Sequence, residues 1–142
     1  MRKFFRLLPA ERRLLLKTFL LVALVRSGLT LLPFRLLRKN ASRLMVPGRV
    51  VPEEGISPER IARMVAAASR LVPHATCLTQ ALAAQILLVR RGHDAMLRIG
   101  VARDHSGAFT AHAWIEQEGR VIVGERGYRE FTPLPQMGER GL

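Results

Sequence analysis

The hydrophobic positions of this chain change period along its length, and each change marks an element. From Pro9 to Gly28 leucines and valines crowd between scattered cations, as in Leu14-Leu15-Leu16-Lys17-Thr18-Phe19-Leu20-Leu21-Val22-Ala23-Leu24-Val25. Pro9 and Glu11 suit a helix's first turn and Gly28 its end. Between Lys17 and Arg26 the uncharged stretch is eight residues. A bilayer needs about 20, so the pattern predicts a buried or partner-facing helix, with membrane-surface contact as the alternative. Pro33 to Asn40 reads as a short basic amphipathic piece, and Met45 to Ile56, with two prolines and two glycines, as a linker. Residues 1–45 thus form a basic apolar helical segment and 46–142 a core, expected to make one compact unit.

Within that core, Ser57 as N-cap, Pro58 at the first helical position and Glu59 beside it open a helix whose apolar set is Ile61, Met64, Val65, Ala68 and Val72. Pro73 ends it. A further helix is predicted from about Thr76 to Arg91, closed by Gly92. Its face Cys77, Ala81, Ala84, Leu88 is mostly small, so a sheet can approach closely. The period then falls to two. Ala95, Leu97, Ile99 and Val101 alternate with Met96, Arg98, Gly100 and Ala102, and after the turn Asp104-His105-Ser106-Gly107 the set Phe109, Ala111, Ala113, Ile115 alternates with Thr110, His112, Trp114, Glu116. Glu118-Gly119 suits a two-residue hairpin turn, which pairs Gln117 with Arg120, Trp114 with Val123 and His112 with Glu125. The fold class is α+β: helices first, then a cysteine-bearing helix packed on an antiparallel sheet.

Composition narrows the chemistry. The 142 residues suit one domain able to bury a core without staples. One cysteine excludes an intramolecular disulfide and a cysteine-rich zinc site, and His74, His93, His105 and His112 show no ligand spacing, so neither metal nor cofactor is expected. A lone thiol fits a reducing, cytoplasmic compartment. The formal charge of +12 favours anionic partners without choosing among nucleic acid, a membrane surface and an acidic polypeptide. Nucleic acid is disfavoured, because the chain has one Tyr, one Trp and neither an aromatic RNA-binding motif nor zinc-finger spacing.

Cys77 is the candidate nucleophile. At a helix start, unpaired N–H groups and the positive dipole end stabilise a thiolate. His112, on the more polar and aromatic face of its strand, is the candidate base. Glu125, opposite His112 in the predicted register, would fix the imidazole tautomer and stabilise the imidazolium. Read separately, Cys77 also fits a small buried hydrophobe, His112 a hydrogen-bonded core residue and Glu125 a solvated edge residue.

Cys77-Leu78 opening a helix, Leu97-Arg98-Ile99-Gly100-Val101, and Ala111-His112-Ala113-Trp114-Ile115-Glu116 followed by a Gly119 turn together resemble the transglutaminase-like leader peptidases of lasso-peptide biosynthesis. The likeness is to the microcin-processing type, and in particular to the stand-alone protease half of the split B protein. It extends from Pro9-Ala10-Glu11-Arg12-Arg13 to Thr132-Pro133-Leu134. The resemblance implies a papain-like cysteine peptidase that removes the leader of a ribosomally made precursor and works with a separate leader-recognition protein and an ATP-using cyclase. Cys77 takes the nucleophile's place and His112 the base's. Relatives usually carry Asp on the strand after the histidine; here no Asp follows Asp104, and Glu125 is the nearest carboxylate, so the set is a modified triad or a dyad. A transglutaminase-like interaction protein without chemistry, acyl transfer to an amine, and a basic nucleic-acid-binding protein are the competing readings.

Overall fold

The structure, a computed structural model, describes residues 9–33, 35, 36, 39, 40, 43 and 56–134. The linker expected from Met45 to Ile56 lies, apart from Ile56, outside the described residues, and the basic piece from Pro33 to Asn40 falls only partly within them. Helices α1 (Pro9–Leu31), α2 (Pro58–Leu71) and α3 (Cys77–Arg90) precede strands β1 (Met96–Arg103), β2 (Phe109–Gln117) and β3 (Arg120–Val123). A single 3-10 turn, Tyr128–Glu130, then leads into the short β4 (Thr132–Pro133). The strands form one sheet in the order β3-β2-β1-β4, each neighbour antiparallel. This is the predicted α+β arrangement.

The caps fall where the side chains dictate. The Ser57 hydroxyl accepts from the Arg60 amide at the start of α2. At the far end of α3, Gly92 at φ 80° lets the amides of Gly92 and His93 turn back to the carbonyls of Val89 and Leu88. α1 behaves differently from expectation. It does not stop at Gly28 but continues to Leu31, because nothing in Gly28-Leu29-Thr30 breaks a helix already held on one side by packing. Its length and composition over Glu11–Leu31 therefore suffice to cross a membrane, although Lys17 and Arg26 interrupt it. Yet Leu14, Thr18, Val22 and Val25 are buried, and the Thr18 hydroxyl returns its bond to the Leu14 carbonyl at 2.7 Å. One face of α1 thus belongs to the core. The other carries Leu16, Leu20 and Leu24, the last 62% exposed, continued by Leu31 at 80%.

Both α1 and α2 pack on α3, which also lies across β2. Ala81, Leu82, Ala83, Ala84, Ile86 and Leu88 of α3 are buried against Ile61, Val65 and Ala68 of α2 and Val22 and Val25 of α1. From the sheet, Ala113, Ile115 and Val123 join the same core. Two ion pairs tie the layers at the front half of α2: Arg60 with Glu11 of α1, and Arg120 of β3 with Glu59 at 3.0 Å. The Glu59 carboxyl is held below its ordinary range first by a backbone hydrogen bond in the first helical turn, and then by Arg120.

β1 and β2 pair without interruption from Met96↔Glu116 to Arg103↔Phe109. The Asp104 carboxylate closes the turn between them, accepting from the amides of Ser106 and Ala108 and from the Ser106 hydroxyl at 2.6 Å. That hydroxyl is the main reason its carboxyl titrates below the usual value. The β2–β3 register departs from expectation. Gln117 does face Arg120 across Glu118-Gly119, but a bulge between Ile115 and Glu116 sets Val123 opposite Ile115 rather than Trp114. Ile122 of β3 is the extra residue at this bulge, and the slip removes the predicted His112–Glu125 pairing.

The second face of the sheet has its own small core. His112 and Trp114 alternate with Ala113 and Ile115, which face the helices, so their rings stand on the opposite side. Trp114 is buried there beside Tyr128, at 5.7 Å between ring centroids. Its indole lies over Gly100 of β1, where a Cβ would come within 2.8 Å of the Trp114 ring and of the Phe131 Cβ. Gly100→Ala should therefore cost about 1–3 kcal/mol by overpacking. A urea titration reads this as a lower midpoint at unchanged slope, and an unchanged midpoint would contradict the contact.

Candidate active site

Cys77 is the first residue of α3. The preceding Thr76 is extended (φ −88°, ψ 171°), and its hydroxyl accepts from the Thr79 amide at 3.3 Å while also meeting the buried Thr79 hydroxyl at 3.1 Å. This cap decides which residue begins the helix, and so where the thiol sits. The amides of Cys77 and Leu78 have no intrahelical acceptor at this position, and they gather at the positive end of the helix dipole. The thiol itself is free and half-buried against the helix-side core.

His112 lies near the middle of β2, paired with Gly100 of β1. Its imidazole is partly buried between aromatic neighbours: Trp114, with ring centroids 6.0 Å apart and planes 25° apart, and Phe131 at 5.2 Å and 32°. Nε2 lies 2.8 Å from the carbonyl oxygen of Gly124. Glu116, on the same strand, is already engaged, accepting from Trp114 Nε1 at 3.0 Å and pairing with Arg98 at 3.4 Å.

Gln85 of α3 donates to the Ala95 carbonyl at the entrance to β1, which fixes the helix against the strand. No hydrogen bond joins Cys77 to His112: the thiol packs on the helix side of the sheet and the imidazole stands with Trp114 on the other.

Glu125 is elsewhere. Because β3 ends at Val123 and the bulge has shifted the register, Glu125 is exposed and lines an open cleft of about 810 Å³ between α2 and β3, with Glu59, Arg63, Arg120 and Tyr128. What sequence reasoning missed is the environment of His112, namely the Gly124 carbonyl and the Phe131 ring. A backbone acceptor leaves no side-chain signature. Gly124 following an apolar strand run was the one available hint. Of the other histidines, His93 meets the Ile56 carbonyl at 3.3 Å, and His105 lies in the exposed Asp104 turn. Among the described residues no three His, Cys, Asp or Glu side chains gather as metal ligands would.

Comparison with known families gives a match to the transglutaminase-like superfamily over residues 20–136, a span that takes in α2, α3, the whole sheet and about half of α1. No curated protein and no solved structure matches the chain.

The cap makes one prediction. Thr76→Ala should lower stability by about 1 kcal/mol, since the Thr79 amide loses its acceptor. Chemical denaturation measures it, and a wild-type midpoint in the variant would show that the Thr76 hydroxyl does not set the helix start.

Proposed function

Since the chain belongs to the transglutaminase-like superfamily, whose fold commonly serves cysteine proteases, we propose that it is a cysteine peptidase with Cys77 as nucleophile and His112 as base, and that it removes the leader from a lasso-peptide precursor. The observation that carries the reading is the position of the sole cysteine. It is the first residue of a buried helix, capped by Thr76, in a chain whose central strand β2 carries His112. The finer assignment to leader removal rests on the likeness of Cys77-Leu78, Leu97 to Val101 and Ala111 to Glu116 to those peptidases.

The chemistry follows from the residue types. His112 takes the thiol proton and the thiolate attacks the scissile carbonyl carbon, forming the C–S bond. The oxyanion that results is met by the Cys77 amide, one of the helix's unpaired donors. Collapse breaks the C–N bond, and the imidazolium gives its proton to the departing amine of the core peptide. Water then attacks the thioester, with its proton going to His112, and the thiol is restored as the leader's carboxylate leaves. These steps need sulfur and imidazole at about 3–3.5 Å.

Leader recognition would come from a separate protein, and the freed core would pass to an ATP-using cyclase. The exposed Leu16, Leu20 and Leu24 of α1, with Arg13 and Lys17 beside them, offer the docking face for the recognition partner or, in its absence, a membrane surface.

Two outcomes test this reading. Cys77→Ala should lower precursor cleavage, followed by mass spectrometry with the recognition partner present, by more than about 10³-fold with the thermal midpoint little changed; cleavage retained in that variant would refute the nucleophile. Leu20→Gln combined with Arg13→Glu should weaken the partner's affinity about 10-fold, or 1.4 kcal/mol, in a titration, and unchanged affinity would remove α1 from the interface.

A further inference from the structure

We infer that the backbone carbonyl of Gly124 orients the base His112, in the position where a carboxylate side chain was expected. Gly124 is thus a positioning residue, and its role in the reaction rests on the assignment of Cys77 as nucleophile and His112 as base.

The bond itself fixes the chemistry. A carbonyl oxygen has only lone pairs to offer, so the 2.8 Å contact requires Nε2 to carry the proton and donate it. In the neutral ring the free lone pair is then on Nδ1. One backbone group therefore chooses the tautomer and names the nitrogen that accepts the thiol proton. Trp114 and Phe131 hold the ring on its flanks, leaving rotation about the side chain little freedom.

The local fold explains why a carbonyl stands there. The bulge at Ile115/Glu116 and the end of β3 at Val123 release the chain from the ladder just before Gly124. Gly124 then adopts φ 79°, a conformation open to glycine and strained for other residues. A Cβ at this position would lie 2.7 Å from the Ala113 carbonyl oxygen and 3.0 Å from Trp114 Cβ. Both conditions call for glycine, and both act on the peptide unit that meets His112.

The competing carboxylates are otherwise placed. Glu125 is exposed in the α2–β3 cleft, and Glu116 is held by Trp114 and Arg98. A carbonyl differs from a carboxylate in kind: it is a fixed dipole that orients the ring, and it supplies no negative charge to an imidazolium.

The test uses the full chain with 15N-labelled histidine and reads the His112 ring by NMR, alongside iodoacetamide alkylation of Cys77. The wild type and Glu125→Gln should both show a slowly exchanging Nε2–H signal for His112. Gly124→Ala should lose it and slow alkylation about 10²-fold, the scale of a 1 Å misplacement. Absence of a protected ring N–H in the wild type, or its loss in Glu125→Gln, overturns the inference, and these two measurements decide it even if Gly124→Ala does not fold. Retention of signal and rate in a folded Gly124→Ala overturns it as well. The parent reading fails separately: if wild-type Cys77 reacts no faster than in His112→Ala while the ring signal persists, the hydrogen bond stands and the peptidase does not.

Discussion

Burial of α3 on several sides is the constraint on which the other features depend. With α1, α2 and the sheet packed around it, the helix has almost no flank left for polar chemistry, and Thr79, Ala81, Leu82, Ala83, Ala84, Ile86 and Leu88 are all buried. Only its ends are free to do something else. The front end holds Cys77 with amides that its own helix leaves without acceptors, and Thr76 determines that the helix begins there. Ala81 and Ala84, together with Ala113 of β2, are small residues of the core that this helix and the sheet share.

The two faces of the sheet are covered differently. Its inner face completes the helical core through Ala113, Ile115 and Val123, whereas its outer face is covered by the segment after β3, chiefly Tyr128 and Phe131. The indole of Trp114 fills the space above Gly100, and its N–H is answered by Glu116. His112 thus sits between a rigid strand and a short aromatic cover. Its ring is positioned by residues from the last part of the described chain, so the order of that segment bears directly on the imidazole.

Much of this was legible in the sequence because it follows from local rules. Ser57-Pro58-Glu59 gave the start of α2, Gly92 the end of α3, and the period-two runs gave β1 and β2 with their faces in the right order. The family was legible too, from the blocks around Cys77 and His112, and the superfamily match bears out that coarser part of the likeness. Long-range balances were not legible. Gly28 looked like a helix end until α1 was seen to be held by Leu14, Val22 and Val25 in the core. The β2–β3 register needed a bulge that no residue between Ile115 and Val123 announces, and the slip carried Glu125 away from His112. β4 consists of Thr132 and Pro133 alone, too short to form a periodic signal.

The lengths of the outer strands carry a further consequence. The long strands β1 and β2 occupy the centre of the sheet, and its margins are β3 with four residues and β4 with two, one of them a proline that lacks an N–H. Such margins give an incoming strand very few backbone groups to pair with, which is how natural sheets avoid joining edge to edge. A highly basic, leucine-rich chain is thereby protected from sticking to itself through its sheet.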